Sequence, residues 1–225
     1  MELKNKTILI TGGSSGIGQA LVKLLQKKGG EVISFDIKEP TARVDGVKYI
    51  KADISKSGQI KKALAKISQP IDVLINNAGI IRRGTLLETT EDEFNALFNV
   101  LVKGVWLMLK HTKSKLINTA TILQISSRHG MSLPPDPGVY ALCKNIIIDF
   151  SDMLQRTYPH YTVKIACPGP VNTPLSRYDC TKEEFEQKKR MLISPEDMAE
   201  KIIKLLESDH KKLVFQEEEN NYEFS

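Results

Sequence analysis

The sequence predicts one α/β domain built on a doubly wound parallel sheet of about seven strands, with helices on both faces. Short apolar runs alternate with helix-like stretches along the whole chain. These runs are apolar throughout, which is typical of strands that are buried on both faces of a parallel sheet. A glycine-rich segment follows the first run and opens a helix-like stretch. Such alternation predicts right-handed βαβ units.

The individual elements follow from these runs in chain order. Strands are predicted at Thr7–Thr11, Val32–Asp36, Val47–Ala52, Val73–Asn76, Thr121–Ser126, Thr162–Cys167 and Lys212–Phe215. Helices are predicted at Ile17–Lys28, Ser57–Ile67, Glu91–Lys110, Val139–Thr157 and Pro195–Glu207. Thr90 and Ser194 precede acidic first turns and are good caps for the helices that they open.

The length and composition indicate one domain. A chain of 225 residues with 41% hydrophobic and 26% charged residues is ordinary for a soluble globular protein. We recognise no internal repeat, linker or second domain. We therefore expect a single domain over residues 1–216 and an acidic tail over residues 217–225, which either frays or docks on a partner subunit.

The charge, cysteine content and hydropathy exclude several classes of protein. The net charge is +5, but the lysines are spread along helix faces, so we expect no nucleic-acid partner. Cys143, Cys167 and Cys180 lack metal-ligand spacing and indicate free thiols in a reducing compartment, with no metal site. No apolar run approaches the roughly 20 residues of a membrane span, and no signal-peptide pattern opens the chain. These features predict a cytoplasmic protein without a membrane partner.

The segment from Thr11 to Gly18 has the pattern of a dinucleotide-binding turn. Its glycines follow the spacing G-x-x-x-G-x-G between a strand and a helix. The first turn of a helix has free N–H groups and a positive dipole end, which suit a pyrophosphate. An ordinary strand-to-helix turn is the alternative. The predicted cofactor-binding residues here are Gly12, Ser14, Ser15, Gly16, Ile17 and Gly18.

Asp36 ends the second predicted strand, where such folds carry an acidic residue that binds the adenosine ribose. Its carboxylate would accept hydrogen bonds from a ribose diol and would repel a 2′-phosphate. We therefore expect NAD(H) to be favoured over NADP(H). Lys38 and Arg43 lie close enough in sequence to weaken this charge argument, and Asp36 simply starting a turn is the alternative.

Tyr140 and Lys144 are four residues apart in a predicted helix, so their side chains share one face. A nearby ammonium favours the phenolate of a tyrosine, which would let Tyr140 exchange a proton with an alcohol or carbonyl oxygen. Ser127 follows the fifth predicted strand and could hydrogen-bond the same oxygen. The alternatives are a surface helix for the pair and a cap for the serine.

Together these segments resemble the short-chain dehydrogenase/reductase family, over residues 3 to about 210. The matching motifs, in chain order, are Thr11–Gly18, Asp53, Asn76–Gly79, Ser127-x-x-Gly130, Tyr140-x-x-x-Lys144 and Pro168–Thr173. The resemblance implies a Rossmann-type fold and an NAD(P)(H)-dependent oxidoreductase that interconverts an alcohol and a carbonyl on a small substrate.

The resemblance also implies roles for individual residues. Tyr140 would be the general acid/base, Lys144 would bind the nicotinamide ribose and lower the tyrosine pKa, and Ser127 would orient the substrate oxygen. Asp53 and Ile54 would contact adenine. The remaining implied cofactor-binding residues are Asn77, Ala78, Gly79, Pro168, Gly169, Val171 and Thr173, the last two clamping the carboxamide of nicotinamide.

Two departures from the family pattern bear on activity and assembly. Leu101 stands where the family commonly has an asparagine that holds a water of a proton relay, and Asn99 should face elsewhere on the helix. The C-terminus also lacks a glycine-containing segment that contributes to tetramer packing in the family. A homodimer or homotetramer through Glu91–Lys110 and Val139–Thr157 is still expected. Leu101 favours an alternative to the oxidoreductase, namely a dinucleotide-binding protein with little or no turnover. An epimerase or isomerase is a third option.

The substrate pocket is expected beneath a lid from Pro174 to Met191. This segment is rich in charge and has little apolar content, so a bulky steroid-like substrate is disfavoured. Arg82, Arg83, Arg128 and His129 follow strand ends and would suit a polar or anionic carbonyl compound. Solvated loop charges are the alternative for each of them.

Overall fold

The chain folds around one eight-stranded sheet with the strand order β3-β2-β1-β4-β5-β6-β7-β8. The computed structural model describes residues 1–178, 181–189, 192–217 and 219–225, without the side chains of residues 184, 187 and 188. All neighbouring strands pair in parallel except β7 and β8, which are antiparallel. The strands are β1 (Thr7–Thr11), β2 (Glu31–Asp36), β3 (Lys48–Lys51), β4 (Ile71–Asn76), β5 (Leu116–Ile125), β6 (Thr162–Cys167), β7 (Lys212–Gln216) and β8 (Asn221–Phe224).

Helices cover both faces of the sheet. They are α1 (Gly16–Lys27), α2 (Ser57–Leu64), α3 (Glu91–Phe98), α4 (Val105–Thr112), α5 (Arg128–Ser132), α6 (Gly138–Thr157), α7 (Lys182–Lys189) and α8 (Pro195–Glu207), with a π-helical segment at Asn99–Gly104 that joins α3 to α4. One core layer packs α1 and α8 on the sheet, with Leu21 and Ile202 fully buried. The other packs α2, α4 and α6, with Ile60 and Met108 fully buried.

The predicted α/β class, the parallel sheet and the alternation of strands and helices are confirmed. The structure differs at the C-terminus, where residues 221–224 form the edge strand β8 although a tail was expected. Tyr222 and Phe224 pack on the core layer of α1 and α8, which explains why this acidic segment is ordered. Among the described residues, no helix is long and apolar enough to cross a membrane.

The strand order places the ligand-binding edge. β1 lies between β2 and β4, so the chain changes direction across the sheet at β1. Open α/β sheets bind ligands at such a switch point, outside the carboxyl ends of their strands. The turns that follow β1, β2, β4, β5 and β6 all reach this edge.

Candidate active site

A cleft of about 510 Å³ runs along the carboxyl ends of the strands. It extends from the turns after β2 and β3, past the glycine turn after β1, to the turns after β5 and β6. The predicted site residues that line it are Gly12, Ser15, Gly16, Ile17, Gly18, Asp36, Asp53, Ile54, Asn77, Ala78, Gly79, Ser127, Tyr140, Lys144, Pro168, Gly169, Val171 and Thr173. Ser14 is the predicted site residue that does not line it.

The glycine turn brings the start of α1 close to two strands. Gly16 has a φ of +53°, a conformation that side chains disfavour. At Gly18 a Cβ atom would lie 2.0 Å from the carbonyl oxygen of Gly12, so only glycine allows this close packing. Ser15 is the N-cap of α1 but makes no side-chain capping hydrogen bond. The N–H groups of the first turn of α1 therefore have no capping side chain and can bind an anion in the cleft.

Thr11 and Asn77 fasten the glycine turn to the turn after β4. The Thr11 hydroxyl accepts hydrogen bonds from the N–H groups of Asn77 and Ala78, both at 3.1 Å. The Asn77 amide donates to the carbonyl oxygens of Thr11 and Gly12 at 2.9 and 3.1 Å. Thr11 was not among the predicted site residues, although it opens the glycine motif. A hydroxyl residue at the end of a central strand was the available signal.

Asp36 is anchored by backbone groups on both carboxylate oxygens. The N–H of Ser14 donates to one oxygen and the N–H of Lys38 to the other, each at 3.0 Å. The Ser14 hydroxyl donates to the Lys38 carbonyl at 2.8 Å. Ser14 therefore joins the glycine turn to the turn after β2 and does not line the cleft, so cofactor binding by this residue stays a prediction.

Asp53 and Ile54 follow β3 at the same end of the cleft as Asp36. One Asp53 oxygen accepts a hydrogen bond from the N–H of Ser55 at 2.8 Å, which fixes the carboxylate at the turn. Ile54 is buried against Gly104, where an added Cβ would lie 3.0 Å from its Cδ1 atom. This end of the cleft thus combines two fixed carboxylates with an apolar wall.

Ser127 and Tyr140 meet at the opposite end of the cleft. Ser127 is the N-cap of the short helix α5, and its hydroxyl accepts a hydrogen bond from the N–H of His129 at 3.2 Å. Tyr140 from α6 lines the same part of the cleft, and the Ser127 side chain is close enough to lower the pKa of its phenol. The His129 ring packs edge-on against the Tyr140 ring, with centroids 6.2 Å apart. Two hydroxyl residues from different elements therefore line the same end of the cleft.

Lys144 lies one turn after Tyr140 on α6, as its spacing predicts. Its ammonium is buried, donates to the Ile125 carbonyl at 2.8 Å and lies 5.8 Å from the centre of the Tyr140 ring. Burial lowers the pKa of Lys144 to about 8, opposed by the nearby thiols of Cys143 and Cys167. The buried ammonium is thus held at the end of β5 beside the tyrosine.

The electrostatics of Tyr140 differ from the expectation of a lowered pKa. Burial raises the pKa of Tyr140 to about 12, and the Ser127 side chain opposes this shift. Desolvation disfavours the phenolate more than the neighbouring groups favour it. The phenol of Tyr140 therefore keeps its proton at neutral pH.

The turn after β6 closes this end of the cleft over the glycine turn. Thr173 packs against Gly16, where an added Cβ would lie 3.1 Å from the Thr173 Cγ2 atom. The Thr173 hydroxyl accepts a hydrogen bond from the N–H of Ser176 at 3.3 Å, which tightens the turn. Val171 bridges to Ile193, so the segment that follows the turn returns to it.

Leu101 and Asn99 lie in the π-helical segment, with Leu101 in the core and Asn99 at the surface. Leu101 lies in the π-helical segment, is 1% exposed and packs in one cluster with Tyr140 and Cys143. The Asn99 side chain accepts a hydrogen bond from Lys103 at 3.3 Å at the surface. The wall of the cluster beside Tyr140 is therefore apolar at Leu101.

Charged side chains at the mouth of the cleft have partners. Arg83 lies 3.6 Å from Asp136, Arg82 stacks over the Tyr178 ring at 4.9 Å, and Arg128 forms an ion pair with Glu217. These contacts weaken the argument for an anionic substrate.

Of the predicted lid, Pro174–Tyr178 and α7 are described, and Leu175 and Tyr178 line the cleft. Residues 179–180 and 190–191, and with them Cys180, lie outside the described residues.

This arrangement matches one family of enzymes across most of the chain. The family model for short chain dehydrogenase matches residues 6–184. The chain belongs to the short-chain dehydrogenase family. The resemblance drawn from the motifs and the Rossmann-type fold that it implied are thereby confirmed, and the chain is placed among oxidoreductases.

Relatives within the short-chain dehydrogenase family agree with this assignment. The oxidoreductase UcpA of Salmonella typhimurium is 30% identical over 192 residues, which cover 78% of this chain and 73% of the relative. A 3-ketoacyl-(acyl-carrier-protein) reductase from Brucella melitensis, complexed with NADH, has a TM-score of 0.76 at 26% identity and covers 90% of this chain and 91% of its own. A short chain dehydrogenase from Burkholderia cenocepacia, in complex with NADP, has a TM-score of 0.80 at 27% identity and covers 92% of each chain.

Proposed function

We propose that the protein is an NAD(P)(H)-dependent oxidoreductase that interconverts an alcohol and a carbonyl on a small substrate, with Tyr140 as general acid/base. One observation carries the proposal. Ser127 and Tyr140 line the same end of the cleft beside the buried ammonium of Lys144, which lies 5.8 Å from the centre of the Tyr140 ring. A substrate oxygen bound there could contact both hydroxyls at once.

The residues of the cleft fit a nicotinamide dinucleotide. The first turn of α1 supplies N–H groups without a capping side chain, and Gly12 and Gly18 allow the backbone to come close to a pyrophosphate. Asp36 and Asp53 would hold the adenosine half, and the turn after β6 would hold the nicotinamide half. When bound, the dinucleotide would supply or accept the hydride. The two related structures that contain NADH and NADP support this choice of cofactor class.

Proton handling by the chain favours carbonyl reduction at neutral pH. With a pKa of about 12, Tyr140 retains its proton at pH 7 and can donate it to the oxygen of a carbonyl. Lys144, with a pKa of about 8, is mostly charged at pH 7 and stabilises the phenolate that donation leaves. Ser127 keeps the substrate oxygen near the phenol. Alcohol oxidation would need the phenolate first and is expected to rise with pH.

Asp36 supports a preference for NAD(H) over NADP(H). Its carboxylate is fixed by two backbone N–H groups, each at 3.0 Å, so it cannot swing away from a ribose without losing them. A fixed carboxylate accepts hydrogen bonds from a ribose diol and repels a 2′-phosphate. The replacement Asp36→Ala is expected to weaken NADH binding and to reduce the discrimination against NADPH.

The first experiment is a fluorescence titration with NADH and NADPH, followed by oxidation of the bound cofactor with a panel of small aldehydes, ketones and keto-sugars. Binding with turnover supports the proposed reductase. The absence of binding of both cofactors would overturn the proposed role of the glycine turn. Equal affinity for NADH and NADPH would overturn the proposed cofactor preference alone.

A second candidate function is a dinucleotide-binding protein with little or no turnover. The observation that favours it is Leu101, whose buried apolar side chain packs in the cluster of Tyr140. No proton can pass through this side chain. Binding of NADH without turnover across the whole panel would favour this candidate over the reductase.

The proposal also covers the oligomeric state of the protein and its cellular compartment. The exposed apolar face of α4 and α6 supports a homodimer or homotetramer, with a small carbonyl or alcohol compound as the other partner. The free, buried thiols of Cys143 and Cys167 support a location in the reducing cytoplasm.

A further inference from the structure

The C-terminal hairpin, formed by β7 (Lys212–Gln216) and β8 (Asn221–Phe224), contacts two of the turns that line the cleft. The N–H of Gly169, in the turn after β6, donates to the Tyr222 hydroxyl at 3.1 Å. The Arg128 side chain, in the turn after β5, pairs with Glu217. Gly169 and Arg128 both line the cleft, so the hairpin reaches the floor of the cleft from outside.

The turn after β6 rests directly on the aromatic rings of this hairpin. A Cβ atom on Gly169 would lie 2.4 Å from the Phe215 ring, so the backbone is already at contact distance. The Phe215 and Tyr222 rings pack at 60° with centroids 5.2 Å apart, and the Lys201 ammonium covers the Tyr222 ring at 5.2 Å. The two rings therefore support the turn from below, and the Tyr222 hydroxyl fixes its N–H.

The same hairpin couples the turn after β6 to the one that carries Ser127. The N–H of Arg128 donates to the Pro168 carbonyl at 2.9 Å, and Arg128 directly follows Ser127 in the chain. Because Glu217 holds the Arg128 side chain while Tyr222 holds Gly169, one element is attached to both turns. A displacement of the hairpin would move both walls of this end of the cleft.

We infer that Tyr222 is a positioning residue, which acts through Gly169 to set the part of the cleft that receives the nicotinamide half of the cofactor. The pairing of the hairpin strands does not involve this hydroxyl. β7 and β8 pair over four registers, and the Ser225 carbonyl accepts hydrogen bonds from the N–H groups of Lys211 and Lys212 at 2.7 Å each. The hydroxyl therefore serves the turn, and the inference rests on the function proposed above.

The test compares Tyr222→Phe with the matched control Tyr49→Phe. The Tyr49 hydroxyl also accepts a hydrogen bond from a backbone N–H, that of Val44 at 3.3 Å, but beside the opposite end of the sheet. Each variant is titrated with NADH and with 5′-AMP, which lacks the nicotinamide half. Thermal unfolding is followed in parallel, since both variants lose one hydroxyl and keep the ring.

We expect Tyr222→Phe to weaken NADH binding and to raise the KM for NADH, each about five-fold, which is the effect of losing one hydrogen bond. Binding of 5′-AMP should be unchanged. Tyr49→Phe should change the affinities for NADH and 5′-AMP equally, if it changes them at all. Equal effects of Tyr222→Phe on NADH and 5′-AMP, or no effect on either, would overturn the positioning role. Failure of the unaltered protein to bind NADH and NADPH would instead contradict the proposed function.

Discussion

At the scale of single residues, Tyr140 carries the most direct prediction. Tyr140→Phe removes the proton donor and keeps a buried ring of similar volume, so we expect turnover to fall by 10² to 10⁴, the usual contribution of general acid–base catalysis. NADH binding should change little, because the glycine turn and Asp36 are untouched. Steady-state kinetics and a fluorescence titration on the same preparation measure both.

The control for this substitution is Tyr161→Phe, which alters a buried tyrosine in the core layer of α2, α4 and α6. It should preserve turnover. A Tyr140→Phe protein that is as active as the unaltered chain would refute the assignment of the acid/base, whatever the substrate.

Lys144 connects protonation to stability. Burial lowers the pKa of its ammonium from 10.5 to about 8, so above pH 8 the unfolded chain binds a proton that the folded chain has lost. This proton difference therefore raises the free energy of unfolding by about 2 kcal/mol between pH 8 and 10. Below pH 8 the buried charge costs stability, and this cost is absent in Lys144→Met.

Urea unfolding at pH 8, 9 and 10 tests this prediction in the absence of added cofactor. The thiols of Cys143 and Cys167 and the Tyr140 phenol are common to both proteins, so the difference in their unfolding free energies isolates the ammonium. Parallel pH dependences for the unaltered protein and Lys144→Met would show that the charge of Lys144 is not suppressed by burial.

The sequence indicates which residues line the cleft where a backbone feature places them, and less reliably where a side chain can point in two directions. Gly16 and Gly18 follow from spacing, because positive φ and close approach both require glycine. Ser14 belongs to the same turn, yet its hydroxyl binds the Lys38 carbonyl and lies outside the cleft. The direction of that side chain depends on the neighbouring loop, which no local pattern specifies.

At the scale of elements, the docking of α1 is open to a paired glycine test. Gly18→Ala places a Cβ 2.0 Å from the Gly12 carbonyl oxygen, so α1 must shift from β1 and the first turn must lose its alignment. We expect the free energy of unfolding to fall by about 1–3 kcal/mol, as for an overpacked core. NADH binding should become at least ten-fold weaker.

The matched substitution is Gly58→Ala, in the first turn of α2, where nothing lies within 4 Å of the added Cβ. Alanine there should stabilise the protein by about 0.5–1 kcal/mol and leave NADH binding unchanged. Denaturant unfolding and the NADH titration measure both variants. Similar behaviour of the two would mean that α1 does not depend on the contact at Gly18.

Helices and strands with a strong apolar pattern can be predicted from the sequence, but a local irregularity within a helix cannot. The helix predicted at Glu91–Lys110 exists, but residues 99–104 are π-helical, which places Leu101 inward and leaves Gly104 against Ile54. Periodicity cannot reveal one wide turn within a long helix. β6 was predicted although Lys164 interrupts it, and its buried ammonium is satisfied by the carbonyls of Leu205, Ser208 and His210.

At the scale of the whole molecule, the strand order explains why the cleft could be located from the sequence. Parallel strands deliver their carboxyl ends to one edge, so the polar residues that follow β1, β2, β4 and β5 had to meet there. β8 could not be predicted in the same way. Its sequence, Asn221–Phe224, has only four residues and follows an acidic run, and it becomes a strand because Tyr222 and Phe224 pack against α8.

Assembly is a property of the whole molecule that one surface makes testable. A groove of about 400 Å³ lies between α4 and α6, remote from the cleft, and its apolar lining consists of Trp106, Leu109, Leu116, Phe150, Met153 and Leu154. Trp106 and Met153 are 45% and 58% exposed. Exposed apolar surface of this kind marks an interface, and a second copy of the chain would cover it.

Trp106→Glu is expected to convert the proposed dimer or tetramer into a monomer, because it places a carboxylate in the apolar groove. The helix itself should tolerate the change, since the ammonium of Lys110 already lies 4.6 Å from the Trp106 ring and can pair with Glu at this spacing. The control is Leu87→Glu, which adds the same charge at a residue that is 95% exposed and does not line the groove. Sedimentation velocity at several concentrations measures all three proteins. An unaltered chain that sediments as a monomer, or a Trp106→Glu variant that assembles as before, would show that copies of the chain do not associate through this groove.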